Sequence, residues 1–359
     1  MAKGPPRKLS TKVLADVIEA LIGTSYKVGG IPRALKCLEF FVGEGQWQDV
    51  DKCRQRLFDI ALEDEVLPPV LEPLERLIGY SFRKKSLLVE ACTHASYVSN
   101  RRTRSLERLE FLGDAILDKI IVTRLYAFDP PLQHFEMHMI KTALVNKDFL
   151  AFISLEEYDS DYVEKEVTED QEVVKKASTT ALWKYMRHTS HAVGLEQASM
   201  IERHAKLRDE IKHALNHGTH YPWALLARMG AKKFYSDHFE ALLGALWIDS
   251  GSLDVCASMV ARFGILGYLE RILTRGVHMQ HPKEELGIWA GNAGITYRIG
   301  VDVGVSGDKV YTCSVLVGQR TVTEVKGGIS KEEIKTKAAD SAVRILTAES
   351  NNRRRSSRG

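Results

Sequence analysis

The chain has 359 residues, of which 44% are hydrophobic and 27% charged, with a formal net charge of +3. That allows two or three domains with ordinary cores, and no apolar run approaches the roughly 20 residues needed to span a bilayer. Met1-Ala-Lys-Gly-Pro-Pro-Arg-Lys lacks the apolar segment of a signal peptide. The cysteines Cys37, Cys53, Cys92, Cys256 and Cys313, with no Cys-x-x-Cys pair, read as reduced thiols of an intracellular protein. Nucleus and cytoplasm both stay open.

In chain order, residues 8–43 come first and repeat part of a later segment. Asp16-Val-Ile-Glu-Ala-Leu-Ile-Gly23 aligns with Asp237-His-Phe-Glu-Ala-Leu-Leu-Gly244 at a constant offset of 221, and Lys12 and Gly30 fall on Lys233 and Gly251. A linker over 46–69 carries a short helix near Asp51–Leu62 and a break at Pro68-Pro69. Helical spacing of apolar residues then runs through Leu109–Leu125, Phe135–Phe152 and Phe239–Ile248. Residues 154–176 hold nine acids against three lysines and read as irregular, while Glu202–Leu215 reads as helix. From His281 a short helix, strands at Thr296–Val301, Val310–Val317 and Thr321–Val325, and a helix around Ala338–Leu346 complete the pattern. Residues 279–359 carry thirteen Lys and Arg against nine acids, a distribution suited to a polyanion. The terminal Arg353-Arg354-Arg355 run reads as a disordered basic tail.

The most informative segment is Glu107-Arg-Leu-Glu-Phe-Leu-Gly-Asp114. At helical spacing Glu107, Glu110 and Asp114 share a face inside an apolar run, and Asp237 and Glu240 pair at i, i+3 far downstream. Carboxylates gathered in apolar surroundings repel one another, and a cation can neutralise them. Two such helices meeting would build an oxygen-ligand site for Mg²⁺, suited to phosphodiester hydrolysis.

The octapeptide resembles the signature of the ribonuclease III family, and Asp237-x-x-Glu240-Ala-x-x-Gly244 resembles its second acidic helix. Leu74-Glu75-x-x-Ile78-Gly79-Tyr80-x-Phe82 and Thr93-His94-Ala95-Ser96 resemble the opening of the same domain. The resemblance implies a mainly α fold. An all-helical ribonuclease III domain over 70–274, with an insertion over 154–235, would be preceded by a partial second copy over 1–45. A small α-β-β-β-α double-stranded-RNA-binding-like domain would follow over 279–348, and then a basic tail over 349–359. Two nuclease domains in one chain resemble Dicer, so the chain reads as the C-terminal portion of a Dicer or fungal Dicer-like protein, particularly of the antiviral branch.

By that resemblance Glu110, Asp114, Asp237 and Glu240 bind Mg²⁺ or Mn²⁺, and Glu107 is a further candidate. Lys233, one turn before Asp237, would face the scissile phosphate, and Gly113 would let the acidic helices approach. Asp16 and Glu19 would be the remnant site of the first domain, lacking a partner helix. Lys283, Lys331, Lys335 and Lys337 are the RNA-binding candidates. Departures from the family's module weaken that assignment, because Glu332 and Glu333 stand among the lysines and Gly304–Asp308 lacks a histidine often found there. Histidines 134, 138, 213, 217 and 220 complete no recognisable zinc set. The expected function is metal-dependent cleavage of double-stranded RNA into small RNAs for silencing or antiviral defence, by a chain that homodimerises through residues 70–270. A silent RNA-binding or scaffold protein is the alternative.

Overall fold

The computed structural model describes residues 10–43, 47–63, 66–98, 104–167, 173–303 and 309–356. The chain divides into two compact units, Met1–Ile60 and Ala61–Gly359. The first holds helix α1 (Thr11–Val42) and helix α2 (Val50–Asp59). Ser10 caps α1 by accepting from the Val13 amide, and Asp49 caps α2 by accepting from Asp51 and Lys52. α1 bends at Gly29 and Gly30, where Gly30 takes a φ of 64° that a β-carbon would strain, and Pro32 follows.

The second unit begins with helices α3 (Glu72–Ile78) and α4 (Lys85–Ala91), then the long α5 (Glu107–Tyr126). Next come α6 (His134–Leu144) and α7 (Lys147–Leu155). The sequence predicts one helix over Phe135–Phe152. The structure divides it at Asn146, whose side chain accepts from the Asp148 amide and starts a new helix. The acidic stretch expected to be irregular pairs its backbone as an antiparallel ladder, β1 (Tyr158–Val167) with β2 (Val173–Thr180). Alternation there is hidden because acids and lysines fill so many positions. Helices α8 (His191–His217), α9 (Trp223–Met229), α10 (Phe234–Ser250), α11 (Leu253–Arg262) and α12 (Ile265–Arg275) complete the helical domain.

α10 is the axis of this domain. Every residue from Tyr235 to Asp249 is buried except Asp237. Its run Ala241–Ile248 is apolar on all sides and has no solvent face to offer, so its neighbours must surround it. α5 lies across it, with α4, α7 and α11 around it. At the crossing, a Cβ on Gly113 would stand 1.7 Å from the Glu240 carbonyl oxygen, and one on Gly244 would stand 2.2 Å from the Leu109 carbonyl oxygen. Only hydrogen fits at either position.

A buried ion network ties the insertion to this core. Glu156, at the end of α7, accepts from Arg208 Nε at 2.8 Å and Nη2 at 3.2 Å, with Lys212 Nζ 2.9 Å and His204 Nε2 3.1 Å away. Burial alone would raise this carboxyl, but the bonds from His204 and Lys212 and the charges of Lys212 and Arg208 outweigh it and bring it down to about 2. Glu156→Ala leaves those cations facing an empty, partly buried site. We expect it to destabilise the fold by about 3 kcal/mol, read as a lowered melting temperature. A carboxyl depressed from roughly 4.3 stabilises the fold above that value and loses the contribution as pH falls towards 2. The melting-temperature gap between the two proteins should therefore close on acidification. A gap independent of pH would contradict this account.

The C-terminal module comprises α13 (Pro282–Ala290), β3 (Ile295–Val303), β4 (Lys309–Val317), β5 (Arg320–Gly328) and α14 (Lys331–Ser356). The strands form an antiparallel sheet in the order β3-β4-β5. Its inner face supplies Cys313 and Val315, which pack with Leu286 of α13 and with Ile334, Ala338 and Ala342 of α14. α14 continues to Ser356, so residues expected to form a disordered tail extend this helix instead. The Gly304–Asp308 loop lies outside the described residues, as does Arg358 at the end of the basic run.

Candidate active site

Where α5 crosses α10, both helices direct acids to one side. Ligand oxygens of Glu110, Asp237 and Glu240 all lie within 4.8 Å of one another. This is the one such group of potential metal ligands among the described residues. Glu240 is 8% exposed, whereas Glu110 and Asp237 are half-buried. Asp114, one turn along α5 from Glu110, is more exposed and falls outside that group. Its charge is still felt there, for it ranks first among the charges acting on Glu240.

The electrostatics follow from crowding. Burial first, then the charges of Asp114, Asp237 and Glu110, push the Glu240 carboxyl up to about 8. Asp237 is also raised, by burial first and by Glu110, against the hydrogen bonds from Lys233 and Ser236. Asp114 is raised by burial and by Asp118. Asp118 in turn pairs with Lys141 at 2.5 Å. Four carboxyls thus share a region that disfavours their collective ionisation, which is the condition a cation relieves.

Lys233 completes the arrangement. Its ammonium donates to Glu110 Oε1 at 2.5 Å and to Asp237 Oδ1 at 2.7 Å, bridging the two acidic helices. Burial works against the charged form, but the bonds to Asp237 and Glu110 prevail and raise the amine. The side chain remains 63% exposed. Ser236 bonds to the Lys233 carbonyl at 2.7 Å and lies 3.3 Å from Asp237 Oδ1. His238 is fully buried, neither ring nitrogen has a hydrogen-bond partner, and burial lowers it to about 4.

The other sequence candidates sit elsewhere. Glu107 is exposed and accepts from Ser105 Oγ at 3.1 Å, outside the ligand group. Asp16 and Glu19 are exposed on α1 and no second acidic helix joins them among the described residues. Lys283 is ion-paired with Glu332, Lys331 is exposed, and Lys335 and Lys337 are half-buried. Sequence reasoning missed Ser236 and the Asp118–Lys141 pair. Asp118 could have been found, since it lies one turn beyond Asp114, but Lys141 comes from a different helix.

Family comparison covers both the nuclease-like domain and the C-terminal module. Residues 107–251 match the Ribonuclease III domain, and residues 275–358 match the Dicer-like protein 2 dsRNA-binding domain. Dicer-like protein 2 of Pyricularia oryzae is 41% identical over 377 aligned residues, covering 96% of this chain and 25% of that protein. Dicer-like protein 2 of Cryphonectria parasitica is 45% identical over 361, covering 95% of this chain and 25% of that protein. The Neurospora crassa protein of the same name is 36% identical over 401, covering 96% and 26% respectively. The chain therefore spans about a quarter of the length of the curated relatives it matches. It carries a ribonuclease III domain followed by a double-stranded-RNA-binding domain of the Dicer-like kind.

Proposed function

We propose that this chain cleaves double-stranded RNA by metal-dependent phosphodiester hydrolysis, as part of Dicer-like processing into small RNAs for silencing or antiviral defence. The observation that carries the reading is the convergence of Glu110, Asp237 and Glu240 within 4.8 Å at a helix crossing. Three oxygen donors, one of them buried and strained towards protonation, fit a hard divalent cation such as Mg²⁺ or Mn²⁺. Bound there, such an ion would activate water and stabilise charge on the phosphoryl oxygens. Glu110, Asp237 and Glu240 would hold it, and Asp114 would add negative potential from the rim. Lys233 fixes the mutual orientation of Glu110 and Asp237, and its exposed ammonium can also meet a backbone phosphate. The hydrophobic walls of α5 and α10 exclude water from beneath the acids.

The direct test incubates purified chain with long double-stranded RNA, with and without Mg²⁺. Cleavage that requires the metal supports the reading. Binding without cleavage under either condition would favour a scaffold role.

We also propose that residues 70–270 mediate a homodimer, and that Asp16 and Glu19 mark the remnant of a first nuclease domain. Phe111 is 84% exposed on α5, and Ala115, Val122 and Tyr126 continue an exposed stripe at four- and seven-residue spacing. A large aromatic left in water beside the acidic site points to a partner surface. Light scattering at micromolar concentration should give about twice 40.4 kDa, and Phe111→Glu should reduce this to one chain mass. A wild-type chain that is strictly monomeric removes the proposal.

A further inference from the structure

Double-stranded-RNA-binding modules are commonly pictured on tethers, but residues 277–281 do not behave as a tether. They form a backbone seam with the loop before α9. The Tyr221 amide donates to the His278 carbonyl at 2.9 Å, and the His278 amide donates to the Thr219 carbonyl at 2.8 Å. Val277 and Met279 are buried. Trp223, the first residue of α9, is the keystone: its Nε1 donates to the Met279 carbonyl at 3.1 Å. Its ring lies 4.9 Å from that of His281, which caps α13.

A second contact closes the other end of α9. α14 packs on this helix. At Gly230, the left-handed residue ending α9, a Cβ would stand 3.0 Å from Ile329 Cδ1. Glu333 is 1% exposed. It accepts from the Ile329 amide at 3.1 Å, while its own amide donates to Ser330 Oγ at 3.1 Å. Burial raises its carboxyl, while the charges of Lys337 and of Arg228 on α9 act in the opposite direction. Beside it, Glu332 takes up Lys283. The acids that looked out of place in an RNA-gripping turn therefore serve internal contacts. Glu332 joins α13 to α14, and Glu333 sits at the seam with α9.

The gripped segment leads directly to the active site. Gly230, Ala231 and Lys232 connect α9 to Lys233, and α10 starts at the next residue. We propose that the C-terminal module is a docked wall of the nuclease domain, whose α13 and α14 contacts hold α9 and thereby position Lys233 between Glu110 and Asp237. The first turn of α14 is given over to this contact rather than to gripping RNA phosphate. Trp223 and Arg228 are then positioning residues. The catalytic consequence rests on the function proposed above, while the docking itself does not.

The test uses the full chain with Trp223→Ala and Arg228→Glu, the latter setting a carboxylate against Glu333, and Arg228→Lys as the conservative control. Hydrogen exchange at residues 223–233 is read first, since it needs no activity. Both variants should speed exchange there by about tenfold or more while exchange in α10 beyond Glu240 stays protected. Arg228→Lys should restore protection. In cleavage assays kcat should fall about tenfold, with double-stranded-RNA affinity unchanged. Should Trp223→Ala fail to fold, the two variants at the exposed Arg228 carry the test. Unchanged exchange at 223–233 in Arg228→Glu would overturn the docking. Faster exchange accompanied by a loss confined to RNA affinity would overturn the positioning role and make the module an RNA clamp. A wild-type chain that does not cleave leaves the exchange result standing and removes only the nuclease reading.

Discussion

Glu240→Gln is expected to reduce metal-dependent cleavage by on the order of 10³-fold while leaving the chain folded. Glutamine keeps the shape of the buried side chain but cannot become the anion that a hard cation requires. Two thermodynamic signatures separate this loss from simple misfolding. Without a cation, the wild-type carboxyl keeps its proton up to about 8, whereas an unfolded chain releases it near roughly 4.3. A folded-state pKa raised in this way gives a contribution that is complete below the unfolded value and is lost as pH rises through the folded one. The metal-free wild type should therefore lose roughly 1.4 kcal/mol per pH unit from this group between about 4 and 8. Glu240→Gln should flatten that slope. Mg²⁺ should raise the wild-type melting temperature most near the upper end of the window, where uptake no longer has to expel a proton, and should leave the variant unmoved. Melting curves across pH with and without Mg²⁺, together with single-turnover cleavage, check the claim. Retention of activity within tenfold of wild type would falsify the assignment of Glu240 as a ligand.

How much of this was legible in the sequence depends on whether the information was local. Glu110 and Asp114 on one helix, and Asp237 and Glu240 on another, follow from three- and four-residue spacing, and the buried character of α10 follows from its apolar run Ala241–Ile248. Which of the four acids share ligand distance is not local. It depends on how far each lies from the crossing, and Asp114 falls one turn outside it. The bridge made by Lys233 was equally hidden, because its second partner is 123 residues away in sequence. Glu332 and Glu333 show the opposite failure. Read locally they are acids among lysines and look like a weakened RNA contact. In three dimensions one meets Lys283 and the other is buried in the α14–α9 packing. The β1–β2 ladder escaped because backbone pairing there is not announced by alternating apolar residues.

Gly113→Ala should be as damaging to function as loss of a ligand, although it removes no chemical group. The added methyl would stand 1.7 Å from the Glu240 carbonyl oxygen and 2.5 Å from its carbon, both backbone atoms that cannot rotate away. Gly244→Ala meets the Leu109 carbonyl at 2.2 Å from the other side. Relief requires α5 and α10 to separate by more than an ångström, since an ordinary carbon–oxygen contact needs over 3 Å. Alanine favours helices over glycine by about 1 kcal/mol, so helix propensity alone predicts stabilisation. Overpacking at a helix crossing costs typically 1–3 kcal/mol where neighbours adjust, and more where the obstacle is backbone. The net expectation is destabilisation by about 3 kcal/mol, seen as a fall in melting temperature of several degrees. Separation of the helices also spreads Glu110 from Asp237 and Glu240, so metal affinity should fall along with stability. Isothermal titration with Mn²⁺ at a temperature where the variant is fully folded isolates that second effect. If Gly113→Ala binds Mn²⁺ as the wild type does and melts no earlier, the ligand set does not depend on the close approach of α5 and α10.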